Sequence, residues 1–537
     1  MNRVFSAILV GVELEIVEIE VAVGRSFSGL ALIGLPQDAA RDMRERVRAA
    51  LESVQKELPA RRITVSFSPP ERIKLSRLSA GLLDFAVAVG VMRAIDKKSE
   101  IPTLSELFLG ELTLSGALRP LPSHLNHAVM QLATNNNCVL KTAPLNHDSS
   151  PEATHSFDSL KNWLAFTREP IAASQNHQTK ISEMNRIHEQ KTQLNQAEFE
   201  NNNTEQIEAV MQELAQNPGV AVAILASVAG RLPLLLAGSP GVGKSHAIKL
   251  IPSLLPPLIS AEIAQLQLIY AEHPRSPQGR PFRMPHHSTP AAALIGSAGL
   301  KPSEVTLSHR GVLFLDELAE FSRPTLEALR EPLDEGRVHI ARAAGTVSYP
   351  CDFLLVAATN PCPCGLFLSR LNPCRCRPSD LKRYQGKLSG PLLDRFVIQR
   401  NADFNYYQNI LGNNINNLSC NTAAPKDPYE HNFLQLIQNP DSLKKFAIRF
   451  VKTRNKSWTT DKGGTKLNSS TTSKHGSTNN ALRETHSQSL RSVAALDRLN
   501  QVLMQLFPEV ECPKAATNKS HPYRNLESLL FSQSFEP

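Results

Sequence analysis

The segment LPLLLAGSPGVGKSHAIKL restricts this chain more than any other. An apolar strand runs directly into Gly238-Ser239-Pro240-Gly241-Val242-Gly243-Lys244-Ser245, which fits G-x-x-x-x-G-K-[ST], and a helix is expected to begin near Ser245. Strand, glycine-rich turn and helix in that order form the context in which this motif cradles phosphate. The glycines let backbone N–H groups wrap phosphate oxygens at the positive end of the helix. Lys244 is placed to reach the β- and γ-phosphates, and the Ser245 hydroxyl to ligate Mg²⁺.

Three later segments fit around that loop. GVLFLDE puts Asp316 and Glu317 at the end of a continuously apolar strand, where two carboxylates are costly without a cation or a substrate proton to serve. Asp316 is expected on Mg²⁺ through water, with Glu317 as the base for the attacking water. The competing expectation is that the two acids start the helix ELAEFSRPTLEALREPL, whose N-terminal dipole favours them. DFLLVAATN ends in Asn360, a contact to the γ-phosphate or the lytic water, or else a turn residue before Pro361. In SGPLLDRF, Arg395 is a candidate finger onto a neighbouring subunit's γ-phosphate, or an ordinary surface ion pair.

The chain of 537 residues is long enough for two or three domains. Residues 1–168 alternate strands and helices: RRITVSFS puts Ile63, Val65 and Phe67 on one strand face, and PQDAARDMRERVRAALESV puts Ala39, Met43, Val47, Ala50 and Val54 at helical spacing. Residues 169–205 are polar, rich in Asn and Gln, and expected to be a linker. From 206 to 400 the alternation returns, implying a mainly parallel sheet covered by helices. Residues 401–537 are read as a divergent helical lid with a flexible polar insertion at about 452–489, followed by the helical stretch SLRSVAALDRLNQVLMQLF.

The apolar start is interrupted by Glu13, Glu15, Glu18 and Glu20, so neither a signal peptide nor a membrane span is expected and the location is read as cytoplasmic. The formal charge of +8 favours an anionic partner such as nucleic acid. Two basic clusters suit phosphate tracking: RSPQGRPFRMPHH, with Arg280 and Arg283, and the cysteine region, with Arg375 and Arg377. Solvated loops are the plainer alternative for both. As metal ligands His286 and His287 are a poor pair, because adjacent histidines rarely point to one ion.

Half of the chain's eight cysteines, Cys362, Cys364, Cys374 and Cys376, form two C-x-C pairs just after Asn360. Four thiolates within fifteen residues can close a tetrahedral structural Zn²⁺ site. A proline-pinned loop with small apolar thiols, or a redox pair, are the alternatives.

Taken in order, the phosphate loop, the Asp-Glu strand, the Asn strand and Leu-Leu-Asp-Arg resemble an AAA+ ATPase of the magnesium-chelatase-like branch. Within it the chain resembles the ComM (YifB) family, through LIGLPQDAARDMRERVRAAL, PARRITVSFSP, GRPFRMPHHSTPAAALIG, SEVTLSHRGVLFLDELAEFSRPTLEALREPLDEGRVHIARA, ATNPCPCG and SGPLLDRF. The resemblance implies a fold of an N-terminal Lon-protease-like α/β domain, an AAA+ core and a small helical lid. It also implies a hexameric ring that hydrolyses ATP between subunits, threads DNA and promotes branch migration during natural transformation, a form of homologous recombination. By analogy the insert around Arg280 and the hairpin with Arg337, His339 and Arg342 face the pore. A Lon-type nucleophile would fall at Ser79, but GELTLSGALRPLPSHLNHAV supplies no lysine to take its proton, so the domain is read as a non-peptidase. The lid matches poorly, with Arg491 a weak candidate for an ATP-sensing arginine. A chelatase-like motor subunit and a DNA-binding scaffold with a decayed motor are the rival functions.

Overall fold

The computed structural model describes residues 2–24, 29–56, 58–73, 80–96, 106–144, 154–168, 204–271, 273, 277–296, 301–342, 345–367, 373–402, 428–459 and 497–508. Ser79, Arg491, most of the expected linker and residues 460–489 of the expected insertion lie outside them.

Among the described residues nine strands precede residue 160: β1 Asn2–Val10, β2 Glu13–Val23, β3 Gly29–Ile33, β4 Arg62–Ser68, β5 Glu106–Leu109, β6 Glu111–Leu112, β7 Leu118–Arg119, β8 Val139–Thr142 and β9 Thr154–Ser156. Seven of them form a mixed sheet in the order β3-β4-β2-β1-β5-β8-β9, while β6 and β7 pair with each other. The alternation in RRITVSFS is realised: Ile63, Val65 and Phe67 are buried and their neighbours face out. Helix Gln37–Ser53 buries Ala40, Met43, Val47, Ala50 and Leu51, so its inner stripe falls slightly off the expected one, with Ala40 and Leu51 inside rather than Ala39 and Val54. Helix Asp84–Ile95 is buried from Asp84 to Met92 and keeps no polar face, since sheet and helix cover it from both sides.

The second sheet is parallel, in the order β11-β12-β15-β10-β16, built from β10 Leu234–Ala237, β11 Phe282–Arg283, β12 Val312–Leu315, β15 Leu354–Thr359 and β16 Ile398–Asn401. Its three middle strands are wholly buried, which is why they read as unbroken apolar runs. The hairpin β13 Arg337–Arg342 and β14 Gly345–Pro350 precedes β15.

Among the described residues two large apolar clusters fill the molecule, beside a small third one of Leu266, Ile269, Tyr270 and Leu307. One covers a face of the parallel sheet together with helix Pro218–Gly230 and the C-terminal helices Pro428–Gln438, Pro440–Thr459 and 497–506. The other runs without a break from the first sheet into the hairpin and the opposite face of the parallel sheet, joining Val10 and Leu125 to Val347, Tyr349 and Leu313. At that junction Gly11 turns β1 into β2 at φ +67°, and a Cβ there would stand 2.7 Å from the Ser348 carbonyl oxygen, so no larger residue fits.

The expected insertion boundary at 452 is corrected. Helix Pro440–Thr459 continues through it because Phe446, Phe450 and Trp458 recur on one side and bury, and the Trp458 indole donates to the Val228 carbonyl at 2.8 Å. A single aromatic residue amid lysines and arginines left too little apolar signal to place that last turn in the sequence.

Candidate functional site

Parallel register sets the site. Ala237 pairs with Thr359 and Leu315 with Ala357, so β10, β12 and β15 end side by side and release the phosphate loop, Asp316 and Asn360 at one sheet edge. Gly238 N–H donates to the Thr359 carbonyl at 3.2 Å, closing the loop's base. Ser239 is buried, Pro240 is exposed at the crest, and the buried Val242 stands between Gly241 and Gly243, which sit at φ +83° and +86°. Nothing crowds a Cβ at either glycine, so the left-handed backbone is what requires them. Helix Lys244–Lys249 starts at the motif lysine.

Lys244 is buried, and its ammonium donates to the carbonyls of Gly238 at 2.7 Å and Ser239 at 2.8 Å and reaches Asn360 Oδ1 at 3.4 Å. Ser245 Oγ donates to Asp316 Oδ2 at 2.9 Å, bringing together the two groups expected on one cation. Asp316 Oδ1 accepts the Glu317 N–H at 3.0 Å. Glu317 takes φ +52°, a conformation that disfavours side chains with a Cβ, and points an exposed carboxylate outward. The structure does not make the two acids the start of the long helix: a short 3₁₀ turn Leu318–Glu320 follows, and the next helix begins at Arg323 under a Ser322 cap.

One site residue had no clear signal in the sequence. His287 Nδ1 lies 3.2 Å from Glu317 Oε2, while His286 Nδ1 engages Ser288 Oγ at 2.8 Å. The two imidazoles stack with centroids 4.0 Å apart but serve different partners. Only the order of strands in the folded sheet brings the loop after β11 beside the end of β12.

Arg395 donates through Nη2 to Asp334 at 2.6 Å and through Nη1 to the Pro391 carbonyl at 2.7 Å. Those bonds hold it at the end of helix Gly390–Leu393 rather than on its own chain's phosphate loop.

The expected DNA-facing arginines divide. Arg280 is corrected: its side chain is 3% exposed and donates to Glu262, to the carbonyls of Pro256 and Pro257 and to the carbonyl of Arg310. It also lies over the Trp458 ring at 4.6 Å, as Arg231 does at 4.5 Å, so it ties the core to the C-terminal helix. Arg283 makes a two-pronged pair with Glu304, 2.8 Å on each arm. Arg337 reaches Glu13 of the first sheet at 3.3 Å and Ser348 Oγ at 3.4 Å. Arg342 ends β13 opposite Gly345. Arg375 and Arg377 are exposed.

The four cysteines converge. Cys362 Sγ lies 3.4 Å from Cys364 Sγ and 3.7 Å from Cys374 Sγ, Cys364 and Cys374 are 3.6 Å apart, and the Cys364 N–H points to Cys376 Sγ at 3.4 Å. A ZnS₄ tetrahedron with bonds of about 2.3 Å has edges of about 3.8 Å, so the Cys362, Cys364 and Cys374 sulfurs have nearly the spacing of one face of that polyhedron, with Cys376 gathered beside them. Cys362 is fully buried and the other three thiols are partly covered.

Comparison with known proteins agrees with both sheets. Residues 210–408 match the family model "Magnesium chelatase, subunit ChlI", and residues 18–142 match "Subunit ChlI of Mg-chelatase". YifB of Escherichia coli is 32% identical over 406 residues, 74% of each chain. YifB of Salmonella typhimurium is 32% identical over 392 residues, 72% of each chain. The competence protein ComM of Haemophilus influenzae is 33% identical over 401 residues, 73% of this chain and 74% of its own. Among the described residues no helix is long and apolar enough to cross a membrane. With an N-terminal mixed α/β unit fused to a parallel-sheet phosphate-loop core, the chain belongs to the ComM/YifB family of magnesium-chelatase-like AAA+ proteins.

Proposed function

We propose that this chain is an ATP-hydrolysing DNA helicase or translocase that promotes branch migration of recombining DNA in natural transformation, working as a homo-hexamer in the cytoplasm. The observation that carries the reading is the Ser245–Asp316 hydrogen bond at the edge where Lys244, Glu317 and Asn360 also gather. A hydroxyl and a carboxylate 2.9 Å apart beside a glycine-rich loop fit a Mg²⁺-nucleotide, and the buried Lys244 ammonium fits its phosphates. Mg²⁺ would neutralise phosphate charge between Ser245 and Asp316.

The chain's own groups then have separable tasks. Loop N–H groups from Gly238 to Lys244 hold phosphate oxygens, and Lys244 exchanges its carbonyl partners for the β- and γ-phosphates. Glu317 orients water and accepts its proton, with His287 fixing the carboxylate. Asn360 reports the γ-phosphate to β15. Arg395 completes the neighbouring subunit's site, once released from Asp334. The 1–168 unit serves as a Lon-like, non-peptidase platform, and 206–400 as the motor, with 401–537 as its lid. DNA is met by Arg375 and Arg377, with Arg337 and Arg342 on the hairpin and Arg283 after exchange of Glu304; Arg280 is a structural residue. Structural Zn²⁺ closing the Cys₄ cluster belongs to the same reading, and its carrying observation is the set of S–S distances of 3.4 to 3.7 Å.

Measuring ATP hydrolysis with and without single-stranded and forked DNA tests the function. Stimulation by DNA is the expected result. Hydrolysis indifferent to DNA would favour a chelatase-like motor, the second reading, which the ChlI family match supports. DNA binding without hydrolysis would leave a scaffold.

A further inference from the structure

The cysteine knuckle is built against the phosphate loop. Two residues after Asn360 the chain buries Cys362, and Gly365 N–H donates back to the Cys362 carbonyl at 2.9 Å, forming a tight turn. Gly365 holds φ +76°, and a Cβ there would lie 2.3 Å from Cδ and 2.6 Å from Cγ of Pro240. The backbone of the knuckle therefore abuts the ring of the residue at the crest of the phosphate loop. Beyond Cys376 the chain enters helix Pro378–Gln385, whose Tyr384 is buried and hydrogen-bonds Thr359, the last residue of β15 and the acceptor for the Gly238 N–H. One end of the knuckle thus bears on Pro240 and the other on the strand that closes the base of the same loop.

The loop needs such support. Gly241 and Gly243 have no side chain and open space around them, so backbone packing from outside is what limits the conformations the turn samples. A loop held in its phosphate-binding shape before ATP arrives binds more tightly, because less ordering is left to offset.

Resting on the zinc reading above, we propose that Zn²⁺ at Cys362, Cys364, Cys374 and Cys376 is a brace for the phosphate loop, so that ATP affinity depends on zinc occupancy through the Gly365–Pro240 contact. Zinc and Gly365 act on positioning and never touch the reacting atoms. Their loss is expected to raise KM and the nucleotide Kd while leaving kcat at saturating ATP nearly unchanged. The four thiolates and one Zn²⁺ carry a net charge of roughly −2, which the flanking exposed Arg375 and Arg377 offset.

The experiment uses the purified full-length chain. Zinc per chain is measured by atomic absorption, then stripped with an organomercurial and chelator and restored with zinc chloride. A fluorescent ATP analogue reports affinity at each stage, alongside Gly365→Ala, which keeps all four thiols but drives a methyl group into Pro240. About one zinc per chain is expected. Affinity should be on the order of tenfold weaker after stripping, recovered on restoration, and weakened similarly in Gly365→Ala with its zinc retained. A wild-type chain without zinc overturns the zinc reading and the brace together. Zinc present but affinity within threefold of wild type in the stripped protein or in Gly365→Ala overturns the brace and leaves the zinc reading standing. Loss that zinc does not restore is unfolding, and Gly365→Ala then decides alone. A zinc-loaded wild type that binds no ATP removes the motor reading and with it this proposal.

Discussion

His287 Nδ1 and Glu317 Oε2 stand 3.2 Å apart, joining the loop after β11 to a glutamate whose own backbone is held at φ +52°. A carboxylate on such a backbone has few ways to be aimed, and the imidazole selects one of them. Glu317→Gln is expected to keep nucleotide affinity and lower turnover by a factor of about 10² to 10⁴, the usual worth of a general base. Unchanged DNA-stimulated hydrolysis in that variant would remove the assignment. His287→Ala should lower kcat about tenfold at unaltered Kd, and His287→Asn, which keeps a donor, should recover most of it.

Ser245 and Asp316 act as one unit, so their losses should not add. Ser245→Ala and Asp316→Asn are each expected to weaken Mg²⁺-dependent ATP binding by at least tenfold. The double variant should be little worse than either single one, with a coupling of about 1 to 3 kcal/mol. Isothermal titration with and without Mg²⁺ measures this; strictly additive losses would separate the two residues' roles.

Arg280 and the knuckle arginines should fail differently. Arg280→Ala takes the two-pronged partner from the buried Glu262, leaving only Arg310 at 3.9 Å and the Ile259 N–H, and is expected to cost about 3 kcal/mol of stability, read as a lowered denaturant midpoint. Arg375→Ala with Arg377→Ala removes two exposed charges and should leave that midpoint within about 0.5 kcal/mol. On single-stranded DNA the same pair should reduce the salt slope by about 1.4, or about 0.7 per lost phosphate contact. A double variant with an unaltered salt slope would take DNA away from the knuckle.

Acid should weaken the core through His309. The imidazole is buried, its Nδ1 accepts the Asp352 N–H at 3.1 Å, and burial, with the charge of Arg310 second, holds its pKa down at about 3. Since the folded pKa lies below the ordinary value, the unfolded chain takes up the proton first. The stability contributed by the neutral ring is present above about pH 6.5 and is lost as pH falls toward 3. Between pH 6.5 and 5.0 the loss is about 2 kcal/mol at the limiting slope of about 1.4 kcal/mol per pH unit. Asp84 slopes the other way, because burial raises its carboxyl to about 7 against the bonds from Arg46, and its contribution falls as pH rises through that window. The diagnostic quantity is therefore the difference between wild type and His309→Gln, which should shrink as pH is lowered. A constant difference across the range would show that His309 titrates normally.

The phosphate loop, Asp316 and Asn360 were legible because buried parallel strands must be apolar throughout and their polar ends then stand out. The alternation in β4 and the stripe of helix Gln37–Ser53 were legible for the same reason, since one face of each meets a core. Arg280 was misread because charge alone does not say whether a guanidinium meets water or Glu262, a partner eighteen residues away. His287, which the sequence offers only as half of a poor metal-ligand pair, gains its place beside Glu317 from which strands are neighbours, and no local pattern encodes that. Trp458 gives no signal because one ring on a basic helix makes no period, although two guanidinium groups lie over it in the fold.

The contact of Gly11 with the Ser348 carbonyl, inside an apolar cluster shared by both sheets, has a mechanical consequence. The hairpin β13–β14 lacks room to tilt against the first sheet, since that sheet's tightest turn is wedged beneath it and Arg337 is tied to Glu13 beside the wedge. Any displacement of the hairpin is delivered to the N-terminal sheet as well, and the two should swing and melt together, like a blade and its handle forged from one bar.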